Sequence, residues 1–363
     1  MSTSSMRRRF ETTVHRSTVF GRALFIACGT SIVACAAPRP GVDPTQVVSV
    51  APCPALSEPR LQFEASFWLN LHNFLVKEAK RREGRQDDGA GARGNIQADT
   101  IGLRALNPIE QHSWDGALRY YAQEILTDRV SGGDSIVIRV NDHLAGAPET
   151  SLQTAGLDSA LTATLTTVAP VYRAVWWPIH EAHDQQWIAA ARGLVDRYGG
   201  CVFPRLQEAF KRPWPSTPIV IYASTYASWF GAYTTTVTGP HITLSTNAIG
   251  NQETYALESI LHESAHAAEF LDASQATMAA DAAKQGAPIE PQLSHVMLFY
   301  TTGEIVSSVI PSHIPYAERF GLWLQTSEMT RLKDALTIAW KPYLAGHSSF
   351  EQALDSVVRR ARR

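Results

Sequence analysis

The pattern of apolar residues changes from helical to strand-like at Pro213, and this change constrains the fold more than any other feature. Before Pro213, apolar residues recur at intervals of about 3.6 residues, which is the spacing of amphipathic helices. After it, Thr217–Tyr222 is a short run of β-branched and apolar residues, which is typical of a strand. The sequence therefore predicts an α+β fold, with a mainly helical region followed by a region that contains a small sheet.

The same patterns predict the individual elements. Helices are expected at 63–82, 114–126, 157–177, 184–198, about 251–271, 291–310, 315–327 and 328–344. Strands are expected at 217–222, 231–237 and 241–245. Asn251 is the expected N-cap of the helix that follows it.

The composition limits the classes of partner. The chain is 45% hydrophobic and 18% charged, which is ordinary for a globular protein with a substantial core. Its formal net charge is only −2. Such a weak field does not attract nucleic acid, so no nucleic-acid partner is expected.

The N-terminus has the layout of an export signal. The basic stretch Arg7–Arg9 precedes an apolar run, 23–35, that is too short to span a bilayer comfortably. The run ends in Ile32–Cys35, which resembles the lipobox of bacterial lipoproteins. Cleavage there would leave Cys35 as the lipidated first residue, and Cys28 is the alternative. The sequence thus predicts an exported protein, secreted or tethered to the cell-envelope membrane at Cys35; an uncleaved membrane anchor is the competing interpretation.

A proline-rich linker follows this signal. Residues 36–60 contain six prolines and show no helical period. Besides the N-terminal cysteines, the chain holds only Cys53 and Cys201. In an oxidising compartment these two can pair, although spacing alone does not decide whether they do.

The segment His262-Glu263-Ser264-Ala265-His266 carries the chemistry. Residues four apart on a helix lie about 40° apart around its axis, so both imidazoles project from one face. Two nitrogen donors on one face suit a tetrahedral zinc ion. Glu263 is placed to take a proton from a metal-bound water. A structural pair of histidines is the competing interpretation.

A catalytic zinc needs a third protein ligand. Asp272 lies six residues after His266, where metzincins carry their third ligand, but Glu269 stands where those families use a glycine. Glu269 itself lies near the same face, beyond His266 along the helix. Glu304, within a predicted helix, is the favoured third ligand.

The motif with a downstream helical glutamate resembles the gluzincin branch of the zincin metallopeptidases. Gly303–Ser308 matches the Glu-x-x-Ser part of the thermolysin pattern but lacks its flanking Asn and Asp. Ser308 stands in place of that Asp, which orients a ligating histidine in thermolysin, and could do so only weakly. The resemblance covers about residues 218–310.

This resemblance implies a zincin-like catalytic domain, built from a small mixed sheet and the HExxH helix. The chain then divides into a lipoprotein-type signal peptide (1–34), a linker (35–60), a mainly helical region (61–212) and the catalytic domain (213–363).

The resemblance also implies roles for residues around the metal. An edge strand beside the HExxH helix would pair with extended substrate, and 241–245 is the candidate for that strand. The sequence pattern of 241–245 fits an ordinary internal strand equally well. A donor to the developing oxyanion would be His295, Tyr300 or Tyr233, and the first two are also plausible as packed or capping residues.

The functional prediction is a zinc-dependent hydrolase, most simply a metallopeptidase acting on a peptide or protein. His262, His266 and Glu304 would bind Zn²⁺, and Glu263 would act as base towards the water and as acid towards the leaving amine. The alternatives are a catalytically inactive binding protein of the cell envelope and a zinc hydrolase of non-peptide amides or esters. His72, His180 and His183 are expected to be structural.

Overall fold

A four-stranded mixed sheet lies at the centre of the fold, with strand order β1-β2-β4-β3. The inner strands β2 and β4 are parallel to each other, β1 is parallel to β2, and β3 is antiparallel to β4. The strands are β1 (Leu61–Ala65), β2 (Ile219–Ser224), β3 (Ala232–Thr235) and β4 (His241–Ser245). Together with the surrounding helices, this sheet confirms the predicted α+β class.

The computed structural model describes residues 52–85, 96–127, 136–227, 231–235, 239–286 and 288–362. These ranges do not include the predicted signal peptide, the predicted lipidation site Cys35 or most of the linker. Ala51–Arg363 forms one compact unit. Among the described residues, no helix is both long and apolar enough to cross a bilayer.

Helices account for most of the described chain. Those before the inner strands are α1 (Phe67–Arg82), α2 (Gln97–Ala105), α3 (Pro108–Tyr120), which continues as a π-helical turn (Tyr121–Ile125), α4 (Ile136–Leu144), α5 (Ser159–Val175) and α6 (Trp177–Phe210). The helices after β4 are α7 (Thr254–Ala267), α8 (Phe270–Lys284), α9 (Leu293–Val309), α10 (Tyr316–Arg319), α11 (Ser327–Ala339), α12 (Lys341–Leu344) and α13 (Phe350–Arg360). Short 3₁₀ turns occur at Ile249–Asn251 and Leu322–Leu324.

The start of the first predicted helix was wrong, because β1 precedes α1. Leu61 pairs with Ile219, and Phe63 with Ile221, in a parallel register. Ser66 then caps α1 by accepting a hydrogen bond from the backbone of Leu69. A five-residue edge strand is too short to produce a clear period, so its partner strand, far away in sequence, decides its conformation.

Two apolar cores flank the sheet. One is formed mainly by α1 to α5 and has aromatic residues at its centre, among them Phe74, Trp114 and Trp176. The other is formed by α6, the sheet and the helices that follow it. Since β1 and α6 belong to this second core, residues on both sides of Pro213 build the layer that supports the motif helix.

A disulfide joins Cys53 to Cys201, with their Cα atoms 5.3 Å apart. It fastens the segment before β1 to α6. A Cβ at Gly200 would meet the carbonyl oxygen of Pro54 at 1.9 Å, so only glycine allows this close approach.

Candidate metal centre

Helix α7 presents His262 and His266 from one side and packs into the core with the other. Its apolar residues Leu257, Ile260, Leu261 and Ala265 are fully buried. The four-residue spacing brings the Nε2 atoms of the two histidines within 3.2 Å of each other. The predicted arrangement of the motif is thus present in the structure.

A third imidazole, from His295 in the first turn of α9, completes the group. Its Nε2 atom lies 3.2 Å from His262 Nε2. His262, His266 and His295 together form a cluster that could hold a metal ion, and no other such group occurs in the part of the chain that the structure describes.

The surroundings of the three histidines favour their neutral, metal-binding form. Burial lowers the pKa of His262 well below its ordinary value, and the neighbouring histidines lower it further. Burial and His295 lower the pKa of His266 to about 3. Burial also lowers the pKa of His295. A neutral imidazole has one ring nitrogen with a free lone pair, and metal coordination requires that lone pair.

Glu263 lies beside this group and is 8% exposed. Burial raises its pKa to about 7, although the hydrogen bond from Thr234 opposes this shift. The Thr234 hydroxyl lies 2.7 Å from Glu263 Oε2 and 3.0 Å from the Glu263 carbonyl oxygen. A carboxyl group with a pKa near neutrality can both accept and release a proton under ordinary conditions.

Phe299 forms the apolar side of the centre. Its ring centroid lies 4.0 Å from that of His262 and 4.9 Å from that of His295. His295 and Phe299 are four residues apart on α9, so they share one face of that helix. The Nδ1 atom of His262 is buried and has no hydrogen-bond partner among the described residues.

Glu304, the predicted third ligand, does not join the histidines. Its carboxylate is bound by Lys341, whose Nζ atom lies 2.9 Å from Oε2 and 3.1 Å from Oε1. His295 and Glu304 are nine positions apart on α9, which corresponds to about 900° of helical rotation, so they point to opposite sides. Only one of these two side chains can face α7, and in the structure it is His295.

Nor does the structure bring the other candidate ligands to the centre. Glu269 and Asp272 are exposed and lie at the start of α8. Glu269 has a left-handed backbone, with φ of 56°, so the chain turns after α7 without the glycine that metzincins use. Ser308 accepts a hydrogen bond from Arg205 and donates one to Ile305, so it is engaged elsewhere.

The predicted oxyanion donors also have other positions. The Tyr300 hydroxyl donates to Thr337 on α11. Tyr233 packs with Ile138 and Ala227 in a small cluster. It neighbours Thr234 on β3, and successive strand residues face opposite ways, so Tyr233 points away from Glu263. His295, the remaining candidate, belongs to the histidine cluster.

The predicted substrate strand at 241–245 is internal. This strand, β4, pairs with β2 on one side and β3 on the other, and all five of its residues are buried. The edge strand next to α7 is β3, and its Thr234 makes the contact with Glu263. An edge strand does lie beside the motif helix, but it is β3; the segment 241–245 is an internal strand, which was the competing interpretation.

The three histidines that were expected to be structural, His72, His180 and His183, all have protein partners. His180 is buried, with its Nε2 atom 2.9 Å from Asp99 and its Nδ1 atom 2.9 Å from the Tyr172 hydroxyl. His183 contacts the Thr246 hydroxyl. His72 bonds with the Tyr121 hydroxyl and the Val137 carbonyl.

The sequence analysis missed two contributors to the centre: the contact of Thr234 with Glu263, and the place of His295 in the histidine cluster. A histidine inside the apolar stretch Leu293–Phe299 was a usable signal for the second, since a buried imidazole needs a partner. Comparison of the chain with protein-family models, with curated proteins and with solved structures yields no significant match.

Proposed function

We propose that this protein is a zinc-dependent hydrolase, and specifically a metallopeptidase, that binds Zn²⁺ through His262, His266 and His295. The observation that carries the proposal is the convergence of three neutral imidazole nitrogens beside a buried carboxyl group. Three histidines with an open fourth position are one of the ligand sets of catalytic zinc.

The donor spacing agrees with zinc. Ligand nitrogens at about 2.0–2.1 Å from a tetrahedral ion lie about 3.3–3.4 Å apart. In the structure, His262 Nε2 lies 3.2 Å from His266 Nε2 and 3.2 Å from His295 Nε2. The set is made only of nitrogen atoms, which suits zinc better than it suits calcium or magnesium, whose ligands are oxygen atoms.

Glu263 is the acid–base group of this proposal. A bound zinc ion would polarise a substrate carbonyl and lower the pKa of a water molecule. Glu263 accepts a proton from the attacking water and later delivers it to the leaving amine, so no net proton is consumed at the enzyme. Thr234 holds the carboxyl group in place from the edge strand.

The edge strand favours an extended peptide as substrate. On one side β3 pairs with β4, and it is the last strand of the sheet, so its other side has no strand partner among the described residues. An extended chain can add to such an edge through main-chain hydrogen bonds. Because Thr234 contacts Glu263, a peptide on this edge would run past the acid–base group.

The disulfide agrees with an exported enzyme. Cys53 and Cys201 are bonded, and disulfides persist mainly in oxidising compartments. We therefore propose that the protein acts outside the cytoplasm, as the basic and apolar N-terminal sequence indicates, tethered to the membrane through lipidated Cys35 or secreted.

The decisive experiment measures the zinc content of variants that each lack one candidate for the third ligand. We expect about one zinc per chain in the wild type and in Glu304→Ala, with zinc lost from His295→Ala. Loss of zinc from Glu304→Ala with retention in His295→Ala would overturn the ligand set. Peptide-library cleavage by the wild type, absent in a zinc-loaded Glu263→Gln variant, tests the activity. A zinc-loaded wild type that cleaves ester or non-peptide amide probes but no peptide would identify a different hydrolase.

A further inference from the structure

The segment His313–Tyr316 is bound to the motif helix by a buried carboxylate. Glu258 Oε2 lies 2.6 Å from His313 Nε2 and accepts a hydrogen bond of 2.9 Å from the backbone N–H of Tyr316. The other ring nitrogen of His313 lies 2.8 Å from the Thr254 hydroxyl. These contacts hold the segment on α7 from two successive helical turns.

The same segment is also packed against α9. A Cβ at Gly303 would lie 2.7 Å from Pro315 Cβ and 3.2 Å from Glu258 Oε1, so Gly303 makes room for the close approach of Pro315. On α7, Thr254, Glu258 and His262 are spaced four residues apart and share one face. The segment therefore adjoins both helices that carry the three histidines.

Tyr316 lies one aromatic ring away from these histidines, behind Phe299. Its ring stacks on Phe299, with centroids 6.0 Å apart and an angle of 28° between the planes. Phe299 in turn lies against His262 at 4.0 Å. Phe320 packs on Tyr316 at 4.7 Å. The position of the Tyr316 ring is thus fixed by its backbone and by its neighbours.

The Tyr316 hydroxyl is a donor without a protein partner. The residue is only 9% exposed, yet its hydroxyl makes no hydrogen bond to any residue within the described ranges. The hydroxyl oxygen is not among the fully buried side-chain atoms that lack a partner, so it is open to solvent and can be reached by a ligand. Burial, Glu258 and Glu263 all raise the pKa of Tyr316, so the hydroxyl keeps its proton and remains able to donate.

We propose that Tyr316 is a catalytic residue whose hydroxyl donates a hydrogen bond to the substrate oxygen on which negative charge develops. This inference rests on the proposed function. A fixed donor at that oxygen stabilises the transition state more than the ground state, because the charge exists only in the former. Glu258 is the positioning residue that holds Tyr316 through its backbone.

The test removes one hydroxyl and compares it with a matched control. Tyr316→Phe keeps the ring that stacks on Phe299, and Tyr300→Phe removes a hydroxyl from α9 that bonds to Thr337. We expect Tyr316→Phe to retain zinc and KM but to lose about 100-fold in kcat, while Tyr300→Phe behaves as the wild type. An unchanged kcat in Tyr316→Phe would overturn the role.

A binding measurement separates this role from the activity itself. A phosphinic peptide carries a negative oxygen in place of the scissile carbonyl, so calorimetry on the zinc-loaded protein probes the donor without turnover. We expect at least 10-fold weaker binding to Tyr316→Phe than to the wild type. Equal affinities contradict the assignment, whether or not the wild type hydrolyses peptides. Absence of turnover with a preserved affinity difference would refute the peptidase and leave Tyr316 as an oxyanion donor.

Discussion

The hydroxyl of Thr234 lies 2.7 Å from Glu263 Oε2, so the edge strand of the sheet directly contacts the carboxyl group beside the histidine cluster. The same hydroxyl lies 3.0 Å from the Glu263 carbonyl oxygen. One hydroxyl proton cannot serve both acceptors at full strength. When Glu263 is protonated, its own proton can be donated to Thr234, and the Thr234 proton is then free for the carbonyl.

Removal of this hydroxyl should change the pH dependence of the reaction. The hydrogen bond from Thr234 lowers the pKa of Glu263, which burial raises to about 7. In Thr234→Val the pKa rises further, so Glu263 stays protonated, and inactive as a base, up to a higher pH. We expect the acidic limb of kcat/KM against pH to move upward by about one unit. Thr234→Ser should restore the wild-type profile, and superimposable profiles of wild type and Thr234→Val would contradict the assignment.

His72 should make the fold sensitive to acid. Burial lowers its pKa from 6.5 to about 4, although the Val137 carbonyl opposes this shift. Because the unfolded chain binds the proton first, the stabilisation is complete above pH 6.5 and is lost as the pH falls towards 4. At pH 5 this loss is about 2 kcal/mol.

Urea unfolding of wild type and His72→Gln, each at pH 7 and pH 5, checks this expectation. Glutamine can retain polar contacts with Tyr121 and Val137 but does not titrate. The variant should lose less stability than the wild type between the two pH values, and parallel losses would rule out His72 as the cause.

Replacement by alanine should change the stability of the protein in opposite directions at two helical glycines. At Gly303 a Cβ would meet Pro315 at 2.7 Å, whereas at Gly193 nothing lies within 4 Å. Gly303→Ala should therefore lower the free energy of unfolding by about 1–3 kcal/mol through overpacking. Gly193→Ala should raise it by about 0.5–1 kcal/mol through helix propensity. Thermal and urea unfolding of both variants decide the matter, and a stable Gly303→Ala would show that the segment at Pro315 yields easily.

The disulfide should contribute strongly to stability because it closes a long loop. Cys53 and Cys201 are separated by 148 positions. In the chain-entropy model, a loop of that length is worth about 4–5 kcal/mol. The double variant Cys53→Ser, Cys201→Ser should unfold at a clearly lower urea concentration, and reduced wild type should match it. A midpoint equal to that of the oxidised wild type would show that native contacts alone hold this segment.

The local parts of the centre were predictable, and the distant ones were not. The spacing of His262 and His266 follows from the helical period, and the apolar residues around them indicate which side is buried. The choice between His295 and Glu304 depends on how α9 is rotated against α7. That rotation is set by packing, to which apolar residues all around α9 contribute, so no simple amphipathic stripe indicates the inward face.

The three predicted strands are present in the structure, but their order in the sheet was not predictable, for a similar reason. The run at 217–222 is visible because its residues are β-branched, but strand order is a property of pairing between segments that are distant in sequence. β4 is inside the sheet, and β3 is at its edge, because β2 takes the other side of β4. Asn251, expected as an N-cap, instead donates to the carbonyls of Gly231 and Ser245 and ties the loop before β3 to the end of β4.

The pairing of β1 with β2 has a consequence for the order of events during synthesis. β1 is synthesised long before β2, the strand with which it pairs. Likewise, Cys53 precedes its disulfide partner Cys201 by 148 residues. Contacts of such long range slow folding, because the chain must close a large loop before any of them forms. The sheet that supports the three histidines is therefore complete only after about two thirds of the chain has been made, and the early helices must remain free of aggregation until then.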